Sequence, residues 1–156
     1  MGRTDIASMV IDAPCPRVFA ALLDPDDLVC WLPPEGMTGR FEYFDARPGG
    51  SYRMVLTYDE PLPAGGKTDA HSDVVEGRFL EIVDQDRIVQ ATGFDTDDVS
   101  LSGTMRMSWS LTAVPGGTRV EFRADNVPEG ISAQDHQDGM NSSLTNLARY
   151  LSDRNG

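Results

Sequence analysis

Residues from about Ser132 to Asp153 place apolar side chains at the spacing of one helix face. The apolar stripe consists of His136, Met140, Leu144, Leu147 and Leu151, with Ser143 and Ala148 beside it. Ser132 is a favourable N-cap, and Asp135 follows three residues later, near the capping-box position. The sequence therefore predicts a long C-terminal helix whose apolar face lies over a sheet.

Six strands joined by hairpin signals are predicted before this helix. The expected pairs are 39–46 with 51–58, 72–83 with 87–94, and 101–113 with 118–125. The turns between them are rich in Gly, Pro and Asp, as in the Gly49-Gly50 turn. Hairpins make antiparallel sheet. Residues 60–70 and 95–98 are expected to form polar connections between the hairpins.

A strand at residues 5–12 and two short helices are predicted at the start of the chain. The first helix has Cys15, Val18, Phe19 and Leu22 on one face. Asp24 and Pro25 are favourable residues at the start of the second helix, and Pro33-Pro34 ends it. The predicted fold is α+β, a single domain over residues 1–156 in which a curved antiparallel sheet surrounds the C-terminal helix.

The net charge of −12 excludes some classes of partner. Nucleic acids and anionic membrane surfaces both need a basic protein surface, so neither is an expected partner. The N-terminus lacks the apolar region of a signal peptide, and no apolar run is long enough for membrane insertion, so a cytoplasmic location is expected. Cys15 and Cys30 are predicted to be packing residues of a reducing compartment, and no metal or cofactor motif occurs.

Several local motifs, in this order, resemble the START-like, or SRPBCC, superfamily. The branch they resemble is named for the activator of heat-shock protein 90 ATPase homologue. The matching segments run from Ala13 to Trp31, from Asp45 to Arg53, from Gly77 to Val89, from Gly116 to Val120 and from Asp135 to Gly139. The likeness extends over about residues 5–152. It departs at Met140, where the family often has Trp, and such a change would reshape a cavity.

The resemblance implies a helix-grip fold with a cavity between the sheet and the C-terminal helix. Roles in the superfamily range from lipid carriage to ring cyclisation and chaperone assistance, so the family alone does not determine the function. The co-chaperone for which the branch is named carries a further N-terminal domain. This chain has no room for that domain, which weakens the transfer of its activity. The resemblance also admits a homodimer or a chaperone as a partner.

Thirteen residues on predicted inward faces are the candidates for a ligand cavity. They are Trp31, Phe41, Met54, Tyr58, Phe79, Gln90, Thr92, Phe94, Met105, Met107, Trp109, His136 and Met140. Met beside aromatic residues suits an adaptable apolar pocket, although each residue alone could be ordinary core. Gln90 and Thr92 share a face with apolar neighbours, which favours a filled or wet cleft over a dry core.

His136 is predicted to lie over the sheet, where Tyr58, Thr92 or Gln90 could satisfy its ring nitrogens. The alternative is that it lies in a frayed first helical turn, in water. His71 with Asp73 and Glu76 is a weak acid–base candidate because strand alternation separates the carboxylates. Arg47 and Arg53 follow the family motif, but ion pairs with Asp45 or Glu42 explain them equally well.

The leading hypothesis is a protein without cofactors that binds a small apolar or amphipathic molecule. An enzyme, such as a cyclase, dehydratase or hydrolase-like protein using His136 and a nearby Tyr or Asp, is one alternative. A chaperone-assisting or stress-response protein is another. A cavity of at least about 300 Å³ would favour binding or catalysis, and a filled core with an exposed apolar patch would favour a protein partner.

Overall fold

The computed structural model of the protein describes residues 3–33, 36–59, 72–94, 101 and 103–154. In chain order, its elements are β1 (Arg3–Ile11), α1 (Cys15–Leu23), α2 (Pro25–Trp31), β2 (Met37–Phe44), β3 (Ser51–Tyr58), β4 (Ser72–Val83), β5 (Arg87–Phe94), β6 (Met105–Val114), β7 (Gly117–Val127) and α3 (Ala133–Arg154). Each of the predicted strands and helices is present, with ends that differ by a few residues. The connections predicted at 60–70 and 95–98, and His71, lie outside the described residues.

The strands form one antiparallel, curved sheet in the order β1-β7-β6-β5-β4-β3-β2. Neighbours along the chain pair as hairpins from β2 to β7, because each connection returns directly to the adjacent position. The strand β1 instead pairs with β7 and forms the far edge. This arrangement confirms the predicted α+β helix-grip architecture.

Local sequence signals account for the turns and helix starts. Gly49 has φ +86°, the left-handed region that glycine adopts without strain. Asp24 accepts a hydrogen bond from the Asp26 backbone N–H at 2.9 Å, and Ser132 accepts one from the Asp135 N–H at 3.0 Å. Both predicted N-caps are therefore formed.

Two predictions from the sequence are corrected by backbone geometry and exposure. The sixth strand begins at Met105 and not at residue 101, because Gly103, with φ +105°, interrupts the extended backbone. Cys30 is exposed and does not pack in the interior, whereas Cys15 is half-buried. The sulfur of Cys30 lies on the solvent side of α2, 3.3 Å from the backbone oxygen of Asp26.

The helix α3 has two different halves. Its later residues Leu144, Leu147 and Leu151 are fully buried in the core that also contains Val18 and Val120. Seven of its earlier residues, between 135 and 143, border an unfilled space over the middle strands of the sheet. The C-terminal half of α3 is therefore packed tightly in the core, and a cavity remains beside its N-terminal half.

Candidate functional site

A cavity of about 540 Å³ lies between the sheet and the first half of α3. The side chains around it are mainly Leu, Met and aromatic residues. Helices α1 and α2 contribute Leu22 and Leu28, and Leu32 follows α2. The sheet contributes Met37, Phe41, Phe44, Tyr52, Met54, Leu56, Tyr58, Asp73, Val75, Gln90, Phe94, Met105, Met107, Trp109 and Phe122. Residues at and before α3 are Ile131, Asp135, His136, Asp138, Gly139, Met140, Ser142 and Ser143.

Ten of the thirteen candidate residues line this cavity. They are Phe41, Met54, Tyr58, Gln90, Phe94, Met105, Met107, Trp109, His136 and Met140. Strand alternation brings most of them together, because every second residue of β3, β5 and β6 points towards α3. Whether they contact a ligand remains a prediction.

The other three candidates lie behind the cavity wall. Trp31 is completely buried, donates its indole N–H to the Ala21 backbone oxygen at 3.0 Å, and packs edge-to-face on Trp109. Phe79 is 1% exposed and packs on Tyr52. Thr92 is also 1% exposed, and its hydroxyl has no hydrogen-bond partner within the described part of the chain. Alternation indicates the face of a side chain but not how deeply neighbours cover it.

His136 forms the main polar contact across the fold. Its Nδ1 lies 2.7 Å from Oδ2 of Asp5, and both side chains are largely buried, with exposed fractions of 16% and 8%. Arg3 donates to the same carboxylate, through Nε at 2.9 Å, and also to the Ile131 backbone oxygen at 2.8 Å. The network therefore joins the start of α3 to the edge strand β1.

The partner of His136 corrects an expectation from the sequence. Tyr58, Thr92 and Gln90 do not bind the ring; Asp5 does. Residues 5, 7 and 11 of β1 face inward, whereas Ile6 and Val10 are 44% and 54% exposed. The apolar residues of β1 lie on both faces of the strand, so they do not indicate which face is inward. The alternation of residues 5, 7 and 11 would have placed Asp5 on the inner face.

The Asp5 carboxyl is held in its charged form. Burial would raise its pKa, but the hydrogen bonds and charges of Arg3 and His136 outweigh burial and lower the pKa below the ordinary value. A carboxylate that accepts from Nδ1 orients the imidazole, and His136 is one of the residues that line the cavity. A ring held in this way can accept or donate one hydrogen bond to a bound molecule.

Two tyrosines on β3 make the other polar contacts of the wall. The Tyr58 hydroxyl donates to Asp73 at 2.8 Å, and the Tyr52 hydroxyl donates to Oε1 of Gln90 at 2.8 Å. Burial raises the pKa of both tyrosines, and the Asp73 carboxylate raises that of Tyr58 further. Both hydroxyls are therefore neutral donors at physiological pH. Tyr52 and Asp73 are wall residues that the sequence did not identify as candidates.

Two hydrogen bonds attach α3, which forms one side of the cavity, to the residues that follow α2. The Ser143 hydroxyl donates to the Leu32 backbone oxygen at 2.7 Å, and the Asn146 amide donates to that of Pro33 at 3.1 Å. Gly139 is one of the α3 residues that line the cavity, and a Cβ atom added there would meet no atom within 4 Å. The space next to Gly139, three residues after His136 on α3, is therefore open.

The arginines of the family motif do not face the cavity. Arg47 pairs with Asp45 at 2.7 Å, and Arg53 pairs with Glu42 and Glu76 on the outer face. Within the described ranges, no group of three or more His, Cys, Asp and Glu could hold a metal ion. No described helix is long and apolar enough to cross a membrane.

The chain resembles known proteins over most of its length. The family model described as "Activator of Hsp90 ATPase homolog 1-like protein" matches residues 12–152. No curated protein matches the sequence. The match to the family model confirms the resemblance inferred from the sequence motifs.

Solved structures show the same architecture. Protein CV1439 from Chromobacterium violaceum is 32% identical to this chain, with 94% of each chain covered and a TM-score of 0.82. A protein from Arthrobacter aurescens has a TM-score of 0.80 at 19% identity, over 96% of this chain and 86% of its own. The AHSA1-like protein from Aeromonas hydrophila has a TM-score of 0.74 at 17% identity, over 98% and 94%. Because the family model covers most of the sequence, the chain belongs to the family of Activator of Hsp90 ATPase homolog 1-like proteins.

Proposed function

We propose that this protein binds a small apolar or amphipathic molecule in the cavity between the sheet and α3. The observation that carries the proposal is the cavity itself, about 540 Å³ with a mainly apolar lining. That volume lies within the range of about 300–1,000 Å³ typical of small-molecule sites. A chain of this size would otherwise fill such a space, since empty volume in a core costs stability.

The composition of the wall supports a ligand that varies in shape. Met54, Met105, Met107 and Met140 line the cavity, and methionine adapts to irregular apolar surfaces. At Met140 the family often has Trp, so the smaller side chain leaves more room here. His136 and the Tyr58–Asp73 pair supply polar groups that could orient one end of the ligand.

The Asp5–His136 contact supports a second candidate, an enzyme that transfers a proton. A carboxylate that holds Nδ1 of a histidine in a cavity wall is an arrangement that suits a general base. In this reading, Nε2 would take a proton from a hydroxyl or an acidic carbon of the bound molecule. A chaperone-assisting role and a homodimer remain predictions from the family resemblance, and a cytoplasmic location remains a prediction from the sequence.

Native mass spectrometry of the purified protein tests the binding proposal. We expect a co-purifying small molecule that organic extraction releases. His136→Ala should retain less of this molecule, because the substitution removes a polar group from the wall. Asn141→Ala is the matched control, since Asn141 lies one turn further along α3, is exposed and is not part of the wall.

Two results would contradict the proposal. One is a protein that carries no small molecule and binds none from an apolar library. The other is equal retention by wild type and by a folded Met140→Trp variant, whose larger side chain should narrow the cavity. Turnover of a bound molecule that is lost in His136→Gln would instead favour the enzyme.

A further inference from the structure

Gln90 is a polar residue in the middle of an apolar sheet surface. It lies on β5, the fourth of the seven strands, and its cross-strand neighbours are Phe79 and Met107. Gln90 lines the cavity and is half-buried. Because it is on the inner face of a central strand, the space to which its side chain is exposed is the cavity itself.

A tyrosine of the same wall binds the oxygen of the Gln90 side chain. The Tyr52 hydroxyl donates to Oε1 at 2.8 Å, and burial raises the pKa of Tyr52 so that it keeps its proton. The ring of Tyr52 crosses β4 at Gly77, where an added Cβ atom would collide with it. This contact orients the Gln90 amide, with Oε1 towards Tyr52.

The amide nitrogen of Gln90 has no acceptor within the described part of the chain, yet it is not enclosed by protein. Among the described side chains, the fully enclosed polar atom without a partner is Oγ1 of Thr92, and not Nε2 of Gln90. A primary amide carries two N–H donors. These donors are therefore accessible from the cavity and available to a bound molecule.

A second neutral donor belongs to the same lining. Trp109 lies on β6, the strand next to β5, and its ring packs on Phe122 and Trp31. Its indole N–H makes no hydrogen bond to the described residues, whereas that of Trp31 donates to the Ala21 backbone oxygen. Two neighbouring strands thus each bring a neutral N–H donor to the sheet side of the cavity.

We propose that the Gln90 amide donates a hydrogen bond to a carbonyl oxygen of the ligand, so that the cavity takes neutral apolar carbonyl compounds. The proposal rests on the proposed binding function and names the polar group of the ligand. A carbonyl oxygen has lone pairs and no proton, which matches the N–H donors of Gln90 and Trp109. A hydrocarbon of the same shape would cover the amide and leave it unpaired, which weakens binding.

The same donors favour a neutral acceptor over an anion. Neither a primary amide nor an indole carries a charge. A carboxylate placed against Gln90 would lose its hydration without gaining a charged partner at that point. The carbonyl group of a ketone, an ester or an amide has less hydration to lose, so a neutral hydrogen bond is enough to replace it.

Two tricyclic ligands with nearly the same outline test the proposal. Fluorenone carries a carbonyl group, and fluorene has a methylene group in its place. Equilibrium dialysis gives the affinity of each compound, and the ratio of the two affinities isolates the carbonyl group. We expect the ratio of fluorenone to fluorene affinity to fall by about tenfold when the Gln90 amide is removed, which is the effect of one hydrogen bond.

The double variant Tyr52→Phe with Gln90→Met removes both members of the wall hydrogen bond, so neither partner is left unpaired. Its reference is Tyr52→Phe alone, which keeps the amide. Gln85→Met is the control, because it removes the same amide from the exposed turn between β4 and β5. The control should have the affinity ratio of wild type.

Infrared spectroscopy of bound fluorenone tests the contact in the wild-type protein. A carbonyl group that accepts a hydrogen bond absorbs at a lower wavenumber than in an apolar solvent. We expect a lowered band in wild type and in Tyr52→Phe, and a band closer to that of the apolar solvent in the double variant.

The outcomes separate this proposal from the function on which it rests. An affinity ratio in the double variant equal to that of Tyr52→Phe would overturn the role of Gln90 while leaving the binding function intact. A bound carbonyl band of wild type at its position in an apolar solvent would do the same, and this measurement decides if the double variant does not fold. If neither compound binds to wild type, both the proposal and the proposed function fail.

Discussion

His136 and Asp5 lie 131 positions apart in the chain, and their contact joins the helix to the edge strand. The Asp5 carboxylate accepts one hydrogen bond from Arg3 near the surface and another from the His136 imidazole. A buried carboxylate of this kind stabilises the fold only while it is charged and hydrogen-bonded. The stability of the protein should therefore depend on the protonation of this one residue.

The substitution Asp5→Asn should make the fold less stable in a pH-dependent way. The folded-state pKa of Asp5 lies below the ordinary pKa of an aspartate side chain, about 3.9. Its stabilising effect is thus fully present above about pH 4 and is lost as the pH falls through the folded-state pKa. Urea denaturation should show a loss of about 1–3 kcal/mol at pH 7, and a smaller difference from wild type at pH 3.

Asp84→Asn provides the control for this measurement, because the carboxylate of Asp84 is exposed at the turn between β4 and β5. Its effect should be small and nearly constant over the same pH range. A difference between wild type and Asp5→Asn that stays the same from pH 7 to pH 3 would contradict the role assigned to Asp5.

Irregularities in two elements shape the cavity. The pairing of β2 with β3 shifts between Phe41 and Tyr43, so the bulge brings Phe44 to the same side as Phe41. In α3, Gly139 leaves a gap in the helix face that covers the sheet. Each irregularity has a local cost, and each changes the outline of the space between sheet and helix.

Gly139→Ala and Gly49→Ala should have opposite effects on stability. A Cβ atom at either position would meet no atom within 4 Å, so only the backbone conformations differ. Gly139 is inside a helix, where alanine should stabilise by about 0.5–1 kcal/mol. Gly49 has φ +86°, where alanine should destabilise by about 1 kcal/mol or more. Thermal and urea denaturation measure both; effects of the same sign would refute this comparison.

The charge of the whole molecule limits its partners. Acidic residues exceed basic ones by 25 to 13. Such a surface repels phosphates and attracts cations at long range.

The protein should not bind nucleic acid. Fluorescence anisotropy with labelled single-stranded and double-stranded oligonucleotides of DNA and RNA should show no saturable change at physiological salt. The reason is the net charge of −12, which offers no surface for the release of counterions from phosphates. A saturable curve whose affinity falls with rising salt would show that this reasoning from charge is wrong.

The sequence alone determined the elements, their order and the family. Hydrophobic periodicity and turn residues are local signals, so the hairpins, the N-caps at Asp24 and Ser132 and the apolar stripe of α3 could be predicted from neighbouring residues. Most wall residues could be predicted in the same way, because alternation along a strand determines which face a side chain occupies.

Only the tertiary structure decided which inward residues border an open space and what His136 contacts. Trp31 and Phe79 have the composition of wall residues, yet neighbouring side chains cover them. The bulge that turns Phe44 inward depends on the pairing of β2 with β3. The Asp5–His136 contact depends on the pairing of β1 with β7, which are far apart in the chain. Depth and long-range contacts arise from the packing of whole elements, whereas the periodicity of a single segment describes only that segment.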